Sequence, residues 1–288
     1  MNVRRSPSVL VGLIGNGIQA SLTPTMHERE GEAQGFRYLY QLIDLDVLGL
    51  DARALPDLLT AAQRMGFAGL NITHPYKQAV IPLLDGLSDD ARALGAVNTV
   101  VLHGGRRVGH NTDWSGFAES FRRGLPDATL DRVVQFGAGG AGAAVAHAAM
   151  TLGVRHLTII DTDQSRAASV AERLCAQAGK PVAVAGQDIE AAVAAADGVI
   201  NATPLGMAKY PGMPLPAALL RPALWVADVV YFPLRTELLR TADALGCRIL
   251  NGGGMAVFQA VEAFRLFTGK PADAGRMQRH FADMAAGP

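Results

Sequence analysis

The chain has 288 residues, 49% of them apolar, with 26 basic and 26 acidic side chains. That length suits about two domains with sizeable cores, and a formal net charge of zero leaves no field to attract nucleic acid or an anionic membrane. Cys175 and Cys247 stand in no paired spacing and the histidines are scattered, which implies a reducing compartment, free thiols and no metal site.

Arg4 and Arg5 before the apolar run Val9 to Ile14 imitate a signal peptide, but the run is too short for one. No stretch approaches the length of a membrane span, so the chain reads as cytoplasmic. Residues 9–14 are expected to form a buried strand. The loop after it, Gly15 to Pro24, leads into a helix over 25–35, with Thr23 as its N-cap. The rival reading of that loop turns the hydroxyls of Ser21 and Thr23 towards one small anionic ligand.

A strand over 38–45, a helix over 54–65 and a strand over 69–73 predict a mainly parallel first sheet. Pro75 is expected to end the third element and open a helix through Leu83. That helix puts Lys77 in its first turn, where the dipole disfavours a cation; neighbours that lower its pKa would fit it for proton transfer. A strand over 95–101, a Gly104-Gly105 hairpin turn and a return limb over 108–113 follow. Asp113 either caps the next helix or converges with Asn98 and Asn111 on one pocket.

The stretch Val133 to Ala148 carries Gly137-x-Gly139-x-x-Gly142 between an apolar β-branched run and an Ala-rich segment. Strand, tight turn and helix in that order make a dinucleotide-binding turn: Gly137 for the bend, Gly139 for backbone approach to a pyrophosphate, Gly142 for close helix packing. A second strand over 156–160 ends at Asp161, where an acidic side chain meets a ribose. Beyond it come a helix over 165–178, a strand near 182–184, a helix over 190–196 and a strand over 198–200. The last of these ends in Asn201-Ala202-Thr203-Pro204, a loop that belongs beside the cofactor. A strand over 224–230, a helix and a strand over 248–250 complete this sheet. A turn at 251–255 precedes a helix over 256–267 that holds Gln259, and a last helix is expected to pack back on the first domain.

Ser21-Leu22-Thr23-Pro24, Asn71-Ile72-Thr73-His74-Pro75-Tyr76-Lys77, Gly95-Ala96-Val97-Asn98-Thr99, Asn111-Thr112-Asp113, the glycine loop, Asn201-Ala202-Thr203-Pro204 and Gln259-Ala260 occur in the order in which they stand in the shikimate dehydrogenase family, which the chain resembles. The resemblance implies a two-domain α/β fold. A substrate domain with a mainly parallel sheet would span 1–118, completed by 252–288, and a Rossmann-type doubly wound dinucleotide domain would span 119–251.

It also implies residue roles. Ser21 and Thr23 match the holders of the substrate carboxylate, and Thr73, Asn98, Asp113 and Gln259 match groups that bind ring hydroxyls. Lys77 and Asp113 match the catalytic pair, and the cofactor set is Gly137, Ala138, Gly139, Gly140, Ala141, Gly142, Asp161, Arg166, Thr203 and Val229. Thr23, where biosynthetic members carry serine, is similar to the branch that takes quinate as well as shikimate. Asp161-Thr162-Asp163, where the NADP branch has Asn-Arg-Thr, implies NAD in preference to NADP, although Arg166 is within reach of a phosphate. The expected partners are small molecules, shikimate and quinate, with neither nucleic acid nor membrane, and the protein is expected to be a monomer or homodimer. The other readings are a strict shikimate dehydrogenase, a methylenetetrahydrofolate dehydrogenase and a non-catalytic NAD-binding regulator.

Overall fold

The structure, a computed structural model, describes residues 8–285; Arg4 and Arg5 lie outside them. The chain divides into two compact units, one of residues 1–112 and 259–288, the other of residues 113–258. The sequence-based boundaries at 118/119 and 251/252 lie several residues from these changeovers.

In the first unit the chain runs β1 (Ser8–Gly15), α1 (Thr23–Ala33), β2 (Arg37–Asp44), α2 (Leu45–Leu48), α3 (Leu55–Arg64), β3 (Gly69–Ile72), β4 (Gly86–Leu87), α4 (Asp89–Leu94), β5 (Thr99–His103) and β6 (Arg106–His110). The strands form one six-stranded sheet in the order β2-β1-β3-β5-β6-β4. The β1–β2, β1–β3 and β4–β6 pairs are parallel, while β3–β5 and the β5–β6 hairpin are antiparallel. Alternation along β1 splits the core between two faces: Ile14 packs with Leu55, Leu59, Leu70 and Ile72, and Val11 and Leu13 pack with Tyr38, Tyr40 and Phe264.

Three local expectations are corrected. Leu22 already has helical angles, so α1 starts at Thr23, which is its first residue and not its cap. No α-helix follows Pro75. The Lys77 carbonyl accepts the Val97 N–H at 2.8 Å, and Ile81 N–H turns back to Gln78, so the segment stays a run of turns. The strand expected from residue 95 begins at Thr99, because Gly95 at φ +63° ends α4 and Val97 bonds a loop rather than a ladder.

The second unit runs α5 (Asp113–Gly124), β7 (Arg132–Phe136), α6 (Gly140–Leu152), β8 (His156–Ile160), α7 (Gln164–Ala178), β9 (Ala183–Ala185), α8 (Ile189–Ala194), β10 (Gly198–Asn201), β11 (Trp225–Asp228), α9 (Glu237–Ala244), β12 (Arg248–Leu250) and the start of α10 (Gly253–Thr268). Its six strands are all parallel, in the order β12-β11-β10-β7-β8-β9. That is the doubly wound arrangement, reversing direction beside β7. Val133, Leu157 and Ile159 face one layer of core and Val134, Phe136 and Val199 the other. The Asn251 side-chain amide oxygen accepts Gly253 N–H, so α10 starts at Gly253 where a flexible turn was expected.

From Gln259 onward α10 belongs to the first unit, as does α11 (Ala274–Ala285). Glu30 on α1 is fully buried and bonds the Arg276 guanidinium through Nε at 2.7 Å and a terminal nitrogen at 2.8 Å. Burial would push the Glu30 carboxyl up, but Arg276, the Asp273 N–H and the Gln34 amide outweigh it and hold the group below its usual range. The pair fixes α11 on α1, within the first unit. Among the described residues no helix is long and apolar enough to cross a membrane.

Candidate active site

In the first unit the loops after β1 and β3 run side by side, because Thr73 N–H bonds the Ile14 carbonyl and Asn16 N–H bonds the His74 carbonyl. A Cβ on Gly15 would fall on the Thr73 methyl, so these loops touch through glycine and threonine. The β1 loop is held from β2. Asp44, 3% exposed, accepts Gly17 N–H at 3.0 Å, Ile18 N–H at 2.9 Å and the Gln19 amide at 3.0 Å, as well as Asp46 N–H at 3.2 Å. The Gln19 amide, with those backbone donors, holds the Asp44 carboxyl below its usual range.

From this clasp the chain turns through Ser21, whose N–H bonds the Ile18 carbonyl. The Ser21 hydroxyl accepts Thr23 N–H only weakly, at 3.4 Å. The half-buried hydroxyls of Thr23 and Thr73 have no partner among the described residues. They are open to solvent or to a ligand.

Asn98, 4% exposed, is set by a buried polar network. Its side-chain oxygen accepts Thr112 N–H at 2.7 Å and the Thr99 hydroxyl at 3.0 Å, and its amide nitrogen donates to the Thr112 hydroxyl at 3.0 Å. Asn71 continues the network, donating to Thr99 and accepting the Tyr40 hydroxyl at 2.7 Å. Asn98 thereby keeps one amide hydrogen for a ligand. Lys77 is half-buried on the segment fixed by Val97, and Gln259 is half-buried on α10. Asn71 and Thr99 stand inside the sequence motifs without an assigned role, and Asp44 belongs to none of them; the fold shows what each supports.

In the second unit Gly137 adopts φ +97°, which favours glycine, and a Cβ there would also press on the Ala202 carbonyl. A Cβ on Gly142 would fall on the Gly137 carbonyl oxygen, so both positions need glycine for space. Gln135, fully buried, braces the loop from below by donating to the Gly137 and Gly142 carbonyls, both at 2.8 Å. Gly139 and Gly140 instead face open space, with nothing within 4 Å of an added Cβ. They precede or open a 13-residue helix whose cap offers no side-chain hydrogen bond. Open room at a helix N-terminus fits a pyrophosphate.

Ala138, on the same loop, donates its N–H to Asp161 at 2.7 Å. The other Asp161 oxygen accepts Asp163 N–H at 2.9 Å. Asp161 therefore ties the end of β8 to the glycine loop as well as presenting charge there. Arg166 lies 3.4 Å from Asp163, whose carboxylate also caps α7. Thr203 donates its hydroxyl to Asn201 at 2.7 Å, Val229 follows β11, and Asp113 is buried in the first turn of α5. The residues present fit a dinucleotide, and among the described residues no cluster could hold a metal ion.

The model of the shikimate dehydrogenase substrate-binding domain matches residues 13–100, and that of the shikimate 5'-dehydrogenase C-terminal domain matches residues 252–280. The chain is 60% identical to the shikimate dehydrogenase (NADP(+)) of Streptomyces avermitilis over 280 residues, 96% of each chain. It is 53% identical to the quinate/shikimate dehydrogenase (NAD(+)) of Corynebacterium efficiens, over 96% of this chain and 99% of that one. Among solved structures it resembles quinate dehydrogenase from Corynebacterium glutamicum in complex with NAD, with TM-score 0.92 and 51% identity over 96% of this chain and 100% of that chain.

Proposed function

The chain belongs to the shikimate dehydrogenase family, and on that premise we propose that it oxidises a ring hydroxyl of shikimate and quinate reversibly to the 3-dehydro ketone, with NAD as hydride carrier. The observation that carries the substrate class is the group of half-buried hydroxyls on adjoining loops, Ser21, Thr23 and Thr73, short of partners within the chain. A small polyhydroxylated acid satisfies such donors; a flat apolar ligand leaves them buried and unpaired. Lys77 takes the proton from the reacting hydroxyl, Asp113 orients that hydroxyl, and Asn98 holds it in register with its remaining amide hydrogen. NAD, when bound, supplies the hydride acceptor.

Preference for NAD is supported by the end of β8. A 2'-phosphate placed there meets the carboxylates of Asp161 and Asp163, and the nearby cation, Arg166, is already beside Asp163. The name of the Streptomyces avermitilis relative favours a second reading, NADP with shikimate alone. Initial rates of nicotinamide reduction with shikimate or quinate, each against NAD or NADP, separate the two. Turnover of both acids with NAD, at higher kcat/KM than with NADP, is expected. Turnover confined to shikimate with NADP would establish the second reading instead.

A further inference from the structure

Asp228, the last residue of β11, is a carboxylate 2% exposed and without an ion pair among the described residues. One oxygen accepts the Asn201 amide at 3.0 Å and Val230 N–H at 2.9 Å, and the other accepts the Thr236 hydroxyl at 2.7 Å. Asn201, fully buried at the end of β10, is saturated: it donates also to the Leu205 carbonyl, and its oxygen accepts both the N–H and the hydroxyl of Thr203. Val229 N–H donates to the Asn201 carbonyl at 2.9 Å. Thr236 in turn caps α9 by accepting Leu239 N–H. One carboxylate thus fixes the loops that carry Thr203 and Val229.

The sheet order says which half of a dinucleotide lies over those loops. The glycine loop follows β7, Asp161 ends β8 on one side of it, and β10 and β11 lie on the other. With its pyrophosphate at β7 and its adenosine ribose at β8, a dinucleotide extends its nicotinamide half over β10 and β11. An apolar residue here would leave all three donors unpaired and an amide would turn an N–H2 towards one of them, so only a carboxylate accepts from all three, at the cost of burying a charge. A carboxylate held at this depth with no cation beside it among the described residues is a local cost of the kind expected at a functional site.

We propose that Asp228 is a positioning residue for the nicotinamide half of the cofactor, acting on Thr203 through Asn201 and on Val229 through the adjoining backbone. This rests on the dinucleotide reading above. Burial, opposed by Val230 N–H, the Thr236 hydroxyl and the Asn201 amide, pushes the Asp228 carboxyl up to about 6. None of those three facing groups titrates. Protonation removes an acceptor from a site where three donors converge.

Calorimetric binding of NAD and of ADP-ribose, which lacks the nicotinamide, tests the assignment in Asp228→Asn. ADP-ribose affinity should stay at the parent level while NAD binds about tenfold more weakly, the effect of one or two lost hydrogen bonds. Turnover should fall about a hundredfold, as misplacement of a reacting group by about an ångström does. Equal losses for both ligands would show a general structural role and overturn the proposal, as would unchanged NAD affinity and turnover. If the parent binds neither ligand, the dinucleotide reading falls and the proposal with it. Should the variant not fold, the parent alone decides. Its affinity for NAD relative to ADP-ribose should drop as pH falls through about 6, and a constant ratio would overturn the assignment.

Discussion

Asp44 in the first unit and Asp228 in the second occupy matching places. Each is the last residue of a parallel strand, paired in register with the last residue of its neighbour, Gly15 and Asn201 respectively, and each holds the loop that leaves that neighbour. They differ in how burial is met. Asp44 receives four N–H donors and is held below the usual carboxylate range, whereas Asp228 receives three donors that burial outweighs, pushing it to about 6. The same device therefore yields a clasp whose charged form is favoured in one unit and, in the other, a carboxyl raised to about 6. Donor supply against depth decides the outcome, not the residue type.

Under the proposed function the first unit supplies most of the substrate-handling groups and the second the nucleotide-handling ones, and the hardest test of that division is Lys77→Ala. Removing the proton acceptor should lower kcat by roughly a hundredfold to ten-thousandfold, with calorimetric NAD affinity unchanged. A parallel loss of NAD affinity would break the division. Asp44→Asn sets an amide N–H against a cluster of N–H donors, so the loop bearing Ser21 and Thr23 should loosen. KM for shikimate should rise about tenfold, as expected for a lost charge-assisted hydrogen bond, while ADP-ribose binding stays as in the parent. An unchanged KM would mean that the clasp does not set the substrate loop.

A further difference between the two carboxylates is in stability against pH. The Asp228 carboxyl is raised in the folded chain from an ordinary value of 3.8 to about 6, so the folded state binds this proton first, and stability from this group rises as pH falls from 7 towards 4. The gain is at most about 3 kcal/mol. Asp44 has the opposite sign: its contribution is present above the ordinary carboxylate pKa and is lost only as pH falls through its lowered value. His27, buried and lowered to about 3, also destabilises the fold as pH drops below 6.5, which masks the Asp228 term in the parent alone. Urea midpoints between pH 7 and 5 should therefore differ in slope between the parent and Asp228→Asn, but not between the parent and Asp44→Asn. Equal slopes in all three proteins would contradict the account of Asp228.

Much of this molecule was legible in the sequence where a single local rule governs. The glycine loop was, because φ +97° at Gly137 and the absence of room at Gly142 leave no other residue. So were the Gly104-Gly105 hairpin, the parallel second sheet and the ordered motifs around Ser21, Lys77, Asn98 and Asp113. The segment after Pro75 was misread because its helical pattern is overridden by one long-range bond, from Val97 N–H to the Lys77 carbonyl. Thr23 was misplaced by a single residue, since Leu22 had already entered the helix.

What the tertiary structure alone decided is the support beneath the motifs. Asp44, Gln135 and Asp228 belong to no spacing rule, and Asp44 reaches Ile18 across 26 positions of sequence. A sequence names the groups that can accept or donate a hydrogen bond. Which of them meet, and whether a carboxylate so met stays charged, depends on strand order and depth of burial, and those exist only once the chain has folded.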